Sequence, residues 1–176
     1  PVGGVYYQPV YGGGSIDAFI MEFSNAGALL WATYYGGSGT DWAHSIATDG
    51  NGNVFVTGQT NSTNFPLKNL AGAYFQNSYI GGGTYYDAFI LKFSNAGMLL
   101  WATYYGDGLT YGYVVAVATD VNGNVFVTGE TLSTNFPLQN LAGAYNQPAI
   151  GGIINAFILK FSNAGVRLWA TYYGGS

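Results

Sequence analysis

Cysteine is absent from this sequence of 176 residues, and only 7% of the residues are charged. The lack of cysteine excludes disulfides, thiolate metal sites and a cysteine nucleophile. Four basic and eight acidic residues give a net charge of −4, and they form no basic cluster that would neutralise a phosphate backbone. No apolar run approaches the roughly 20 residues of a membrane helix. We therefore expect neither a nucleic-acid partner nor membrane insertion.

Glycine and aromatic residues are abundant instead. The chain holds 28 glycines, 16 tyrosines and 11 phenylalanines, and 49% of its residues are hydrophobic. This content is sufficient to form a core, which excludes a disordered chain. No segment has the uninterrupted apolar spacing of an amphipathic helix. An all-β fold is therefore predicted.

One segment of about 20 residues occurs three times. It reads DAFIMEFSNAGALLWATYYG from Asp17, DAFILKFSNAGMLLWATYYG from Asp87 and NAFILKFSNAGVRLWATYYG from Asn155. Such a near-constant period, about 70 residues here, is typical of a repeat architecture. The repeat divides the chain into one partial and two full units in a continuous array without separate domains: 1–38, 39–108 and 109–176.

Each full unit is predicted to contain four short antiparallel strands. In the first full unit, turn sequences rich in glycine and asparagine join β-rich runs; the runs are Ser45–Thr48, Val54–Thr57, Ala88–Phe93 and Leu99–Tyr105. Both faces of Ala88–Phe93 are mostly apolar, so neighbouring sheets must cover them. The units therefore read as β-propeller blades, with an open stacked β-solenoid or filament as the alternative.

The order of the segments DAFILKFSNAG, LLWATYYGG, VATDVNGNVFVTGET and STNFP resembles the SBBP repeat, a bacterial family whose name refers to a seven-bladed β-propeller. The resemblance covers almost the whole chain. It implies a long array in a secreted or surface-attached bacterial protein, without an assigned biochemical activity.

Two turns carry acidic and amide side chains at the spacing of the first ligands of a calcium loop: Asp49, Asn51 and Asn53, and their copies Asp120, Asn122 and Asn124. An EF-hand also needs glycine at position 6 and glutamate at position 12, where the first loop has Val54 and Thr60. We interpret both segments as hairpin turns stabilised by Asx residues. No cofactor is expected, and calcium at these six residues is the alternative.

Catalytic chemistry is not predicted. His44 is the only histidine, and the next repeat has Val115 at the equivalent position. No serine or cysteine nucleophile pattern accompanies it. The acids are scattered through near-identical units and give no unique pair of the glycosidase kind. The chain is therefore not expected to be an enzyme.

The repeated aromatic residues, such as Trp31, are expected to pack between blades, because aromatic side chains carry the largest apolar area. Better candidates to face a ligand, with glycans as the ligand class, lie outside the repeated core positions: Trp42, Tyr74, Tyr79 and Tyr86.

We expect a non-catalytic, extracellular structural repeat that forms a scaffold, surface layer or filament from stacked blades. The predicted array has open blade faces at both ends, so the expected partners are other copies of the chain or further repeats of a longer one. A carbohydrate-binding or adhesive module is the alternative.

Overall fold

The computed structural model describes residues 4–83, 85–110 and 114–175. Within these ranges it contains only strands, turns and loops, and no helix long and apolar enough to cross a membrane occurs there. The strands are β1 (Ala18–Phe23), β2 (Leu29–Tyr35), β3 (Asp41–Thr48), β4 (Val54–Thr60), β5 (Tyr86–Phe93), β6 (Leu99–Thr110), β7 (Val114–Thr119), β8 (Val125–Thr131), β9 (Asn155–Phe161) and β10 (Arg167–Tyr173).

The strands form three antiparallel sheets. Strands β1 and β2 make a two-stranded sheet, here called hairpin A. Strands β3 to β6 pair in chain order as blade B, and β7 to β10 pair in the same way as blade C. The predicted all-β fold with antiparallel four-stranded units is confirmed.

All four strands of blade B are longer than the sequence predicted, and β3 and β6 are extended furthest. Strand β3 begins at Asp41, which pairs with Thr60, and β6 continues to Thr110, which pairs with Tyr86. Both extensions pass an irregularity in the pairing. Gly58 permits the first of them, because a Cβ at this position would lie 1.8 Å from the carbonyl oxygen of Trp42. The missing side chain thus lets two backbones approach closely.

The two hairpin turns in each repeat have separate local causes. In the β5–β6 turn, the amide of Gly97 donates to the carbonyl of Ser94, and Gly97 has a φ of 74°. In the β3–β4 turn, the carboxylate of Asp49 accepts the backbone amides of Asn51 and Asn53. Glycine is favoured at a positive φ and aspartate caps backbone amides, which explains why these residue types recur in every copy.

Hairpin A, blade B and blade C are stacked face to face. All residues of β5 from Asp87 to Phe93 are buried, because each side of the strand meets a neighbouring sheet. Phe89 and Leu91 belong to the core shared with hairpin A, and Ala88 and Ile90 belong to the core shared with blade C. The molecule therefore has two sheet-to-sheet cores rather than one.

Candidate functional site

Hairpin A exposes a row of apolar side chains whose copies are buried in the two blades. The row, called here the front face, has exposed fractions of 62% for Phe19, 46% for Met21, 53% for Phe23 and 41% for Tyr34. The equivalent residues in the blades are at most 1% exposed: Phe89, Leu91, Phe93 and Tyr104 in blade B, and Phe157, Leu159, Phe161 and Tyr172 in blade C. The front face thus consists of residues whose copies are buried in the two blades, where a neighbouring sheet packs on them.

A shallow groove of about 340 Å³ runs along the front face. Phe19, Met21 and Tyr34 line it together with Tyr7 and Pro9. A contiguous exposed apolar surface of this kind marks an interaction site rather than ordinary scattered exposure.

The opposite end of the stack carries a second open surface, called here the back face. It comprises the outward side chains of β9 and β10, including Ile158, Lys160 and Tyr173, and continues onto Ala118 and Phe126 of blade C. Tyr173 is 58% exposed, whereas its copies Tyr35 and Tyr105 are fully buried.

The two open surfaces match the two sides of the internal junctions. Hairpin A contributes Ala18, Ile20 and Tyr35 to its junction, which are the copies of back-face residues. Blade B contributes Phe89 and Leu91, which are the copies of front-face residues. A front face therefore packs on a back face at each internal junction.

A polar cluster fixes blade C against blade B. The ammonium of Lys92 donates to the backbone oxygen and to the side-chain oxygen of Asn163, each at 2.7 Å. The amide Nδ2 of Asn163 in turn donates to Asp49 at 2.8 Å. Lys92 also lies over the Phe55 ring, 5.1 Å from its centre. Burial lowers the pKa of Lys92, and the nearby Asp49 opposes this effect. We call these three polar residues the junction clamp.

Trp31 of hairpin A and Trp101 of blade B each pack on a turn glycine of the next sheet. A Cβ on Gly97 would lie 3.2 Å from the ring of Trp31, and a Cβ on Gly165 would lie 2.9 Å from the ring of Trp101. Around Gly27, the third copy of this glycine, no atom lies within 4 Å of the same position. The glycine allows close packing of the indole, which any larger residue would prevent.

The calcium candidates lie in the two β-hairpin turns. Both oxygens of Asp49 accept N–H groups, from the backbone of Asn51 and Asn53 and from the side chains of Asn53 and Asn163. Partial burial acts to raise the pKa of Asp49, but these hydrogen bonds outweigh it and hold the pKa below its usual value. Asp120 accepts the corresponding bonds from Asn122 and Asn124. Within the described ranges, no three His, Cys, Asp or Glu side chains form a metal-binding group.

The four aromatic candidates do not form one site. Trp42 and Tyr86 are half-buried and adjacent, with ring centres 5.3 Å apart, and His44 lies 6.5 Å from Trp42. Tyr74 packs in the core of the B–C junction, beneath the guanidinium of Arg167. Tyr79 donates its hydroxyl to the carbonyl of its own loop at Tyr85.

Sequence reasoning missed a set of buried carboxylates at the junctions. Asp41 accepts hydrogen bonds from Thr60, Ser62 and the Gly37 amide. The nearest oxygens of Asp17 and Asp41 each lie 2.8 Å from the place that a Cβ on Gly36 would occupy. The backbone of Gly36 therefore lies close to both carboxylates, and Asp17 and Asp41 also line an open pocket of about 240 Å³.

A second carboxylate pair recurs at the next junction. Asp87 is fully buried, and Asp107 accepts a hydrogen bond from Ser133, the copy of Ser62. Desolvation raises the pKa of Asp87 to about 6, opposed by hydrogen bonds from backbone amides and assisted by Asp107. One oxygen of each carboxylate has no protein hydrogen-bond partner.

Comparison with known proteins places this chain among repeat proteins. The Beta-propeller repeat family, SBBP, matches residues 30–66 and 100–137. An uncharacterized WD repeat-containing protein of Acanthamoeba polyphaga mimivirus is 28% identical over 169 residues, a match that covers 90% of this chain. The chain spans only 12% of the length of that relative.

Proposed function

We propose, from the premise that the chain carries two matches to a beta-propeller repeat, that it is a non-catalytic structural module that builds a scaffold by stacking blade on blade. The observation that carries this proposal is the exposure of Phe19, Met21 and Phe23, whose copies in blades B and C are fully buried. The same residues form the core wherever a neighbouring sheet is present, so the open faces are suited to a further sheet.

The expected strength of stacking follows from the front face itself. Full burial of a large apolar side chain contributes about 1.5–3 kcal/mol. The four front-face residues are already about half-buried, so their remaining burial supplies on the order of 5 kcal/mol. Association costs roughly 4–15 kcal/mol in lost freedom. The balance predicts a concentration-dependent association rather than a permanent one. The low charge of the chain, 7% of residues, provides little repulsion between copies.

An extracellular or cell-surface location is part of this proposal, and the resemblance to a secreted bacterial repeat family supports it. The WD repeat-containing relative is, by its name, also a repeat protein, which supports a scaffold rather than an enzyme.

The test compares two variants that each add one charge to an exposed apolar position. Met21→Asp alters the front face, whereas Ile80→Asp alters a loop residue of blade B that is 54% exposed and belongs to neither open face. We expect the unaltered chain and Ile80→Asp to associate equally with rising concentration in sedimentation velocity, and Met21→Asp to remain monomeric. Equal association of all three proteins would show that the front face does not mediate association.

A glycan-binding role is a second candidate, favoured by the adjacent rings of Trp42 and Tyr86. Aromatic rings with one accessible face are suited to stack on sugars. If this role is correct, Trp42→Ala and Tyr86→Ala abolish hits on a glycan array, whereas Tyr145→Ala, which removes an exposed tyrosine of blade C, leaves them unchanged. An array without hits for the unaltered chain rejects this candidate.

A further inference from the structure

The three copies of the repeat define which residues a docked sheet would contact. At the B–C junction, Lys92 and Asp49 of blade B hold Asn163 of blade C. Blade C carries the copies of the two holding residues, Lys160 and Asp120, on its open side. Lys160 already lies over Phe126, 4.9 Å from the ring centre, just as Lys92 lies over Phe55.

Hairpin A carries the residue that corresponds to the partner of Lys160 and Asp120. Asn25 is the copy of Asn163, within the same Ser-Asn-Ala-Gly turn, and it is exposed. Gly27 in that turn has open space around it. On blade C, the half-buried Trp169 is the copy of Trp31 and Trp101, which pack on turn glycines inside the chain.

We propose that hairpin A of one copy docks on the back face of blade C of a second copy, in the register of the B–C junction. In this register, Lys160 and Asp120 bind Asn25 of the second copy, and Trp169 packs on its Gly27. This inference rests on the proposed stacking function and names its partner, its two surfaces and its polar contacts. The continuity of both open faces with the internal junctions favours a second copy as the occupant.

The contact is heterologous, because it joins two different surfaces of the same chain. After docking, the pair of copies retains one free front face and one free back face, so association either continues as a fibre or closes as a ring. A symmetrical contact of two front faces would instead stop at a dimer. This difference allows a test by mixing.

The experiment mixes a front-face variant with a back-face variant. Met21→Asp blocks the front face, and Ile158→Asp blocks the back face, where the copy Ile90 is fully buried at the B–C junction. Each variant alone is expected to remain monomeric in sedimentation velocity. Their mixture is expected to form a 1:1 complex and no larger species, because only one intact pair of faces remains.

A second pair of variants tests the register. Asn25→Ala removes the proposed contact to Lys160 and Asp120, and we expect it to weaken association of the unaltered chain about tenfold, as the loss of hydrogen bonds to charged groups predicts. Asn95→Ala alters the same turn of blade B, where the facing sheet has Glu22 in place of the lysine. It is the matched control and is expected to leave association unchanged.

The outcomes separate this inference from the proposed function. If the unaltered chain associates but the mixed variants form no complex, or if Asn25→Ala behaves like Asn95→Ala, the proposed register is wrong and stacking by another contact remains. If the unaltered chain stays monomeric at every concentration, both are wrong. A 1:1 complex together with the selective effect of Asn25→Ala supports the inference.

Discussion

Lys92 and Asn163 are joined by two hydrogen bonds, each 2.7 Å long, although the residues lie 71 positions apart in the sequence. Lys92 is only 5% exposed, and a buried charge is tolerated only where partners replace its water. The turn of blade C supplies these partners to a strand of blade B. The pair therefore acts as the polar part of an otherwise apolar junction.

Replacement of Asn163 is expected to destabilise the fold. Asn163→Ala removes one acceptor of Lys92 and the donor to Asp49, and hydrogen bonds to charged groups contribute about 1.5–3 kcal/mol. We expect urea denaturation to show a loss of this size in the free energy of unfolding. Asn95→Ala is the control, because Asn95 is exposed in the same turn of blade B, and it should change stability by less than about 0.5 kcal/mol. Equal losses of unfolding free energy in both variants would contradict the role of Asn163 in the junction clamp.

Asp87 is expected to make stability fall as the pH rises. Desolvation raises its pKa to about 6 in the folded chain, above the value of about 3.9 for an unfolded chain. The folded form thus binds the proton more tightly. Its contribution is fully present below about pH 4 and is lost as the pH rises through about 6. Burial also raises the pKa of Asp17 and Asp41, which adds to the same trend.

Asp87→Asn tests this assignment, because Asn155 already occupies the equivalent position in blade C and accepts the amide of Gly151. The substitution removes the ionised form, so we expect unfolding at pH 7.5 to cost about 1–3 kcal/mol more than in the unaltered chain. At pH 4 the two proteins should differ little. A variant that is less stable at both pH values would show that the carboxylate is required as an acceptor.

The turn glycines provide a test of packing at matched backbone strain. Gly165 and Gly27 have φ values of 80° and 78°, so alanine incurs the same backbone cost of about 1 kcal/mol at either position. At Gly165 the added methyl also meets the Trp101 ring at 2.9 Å. We expect Gly165→Ala to lower the melting temperature clearly more than Gly27→Ala, measured in dilute solution. Equal shifts would show that the indole moves aside without cost.

The sequence predicted the repeated units and their strands well because their causes are local. Alternation along Ala88–Phe93 and the glycine-rich turns depend on neighbouring residues only, and burial of the whole strand agrees with the prediction. The junction clamp depends on Asn163 and Asp49, which are 114 positions apart. No local sequence pattern predicts the pairing of these two residues, because it depends on how the sheets stack.

Two other features depend on position in the stack rather than on residue type. Phe19 and Phe89 lie in nearly identical segments, yet Phe19 is 62% exposed and Phe89 is fully buried. Asp107 aligns with Gly37 in the repeat. Its carboxylate accepts a hydrogen bond from the hydroxyl of Ser133, whereas the copy of this serine, Ser62, donates to Asp41. The same spatial role is therefore filled from two different sequence positions.

The mass of the unaltered chain across a dilution series tests the central claim most directly, namely that the open faces are the two halves of a blade junction. Light scattering should give a weight-average mass that rises with concentration from the 18.6 kDa of one chain, and Met21→Asp should suppress the rise. A mass that stays at the value of one chain up to the highest soluble concentration would contradict the claim.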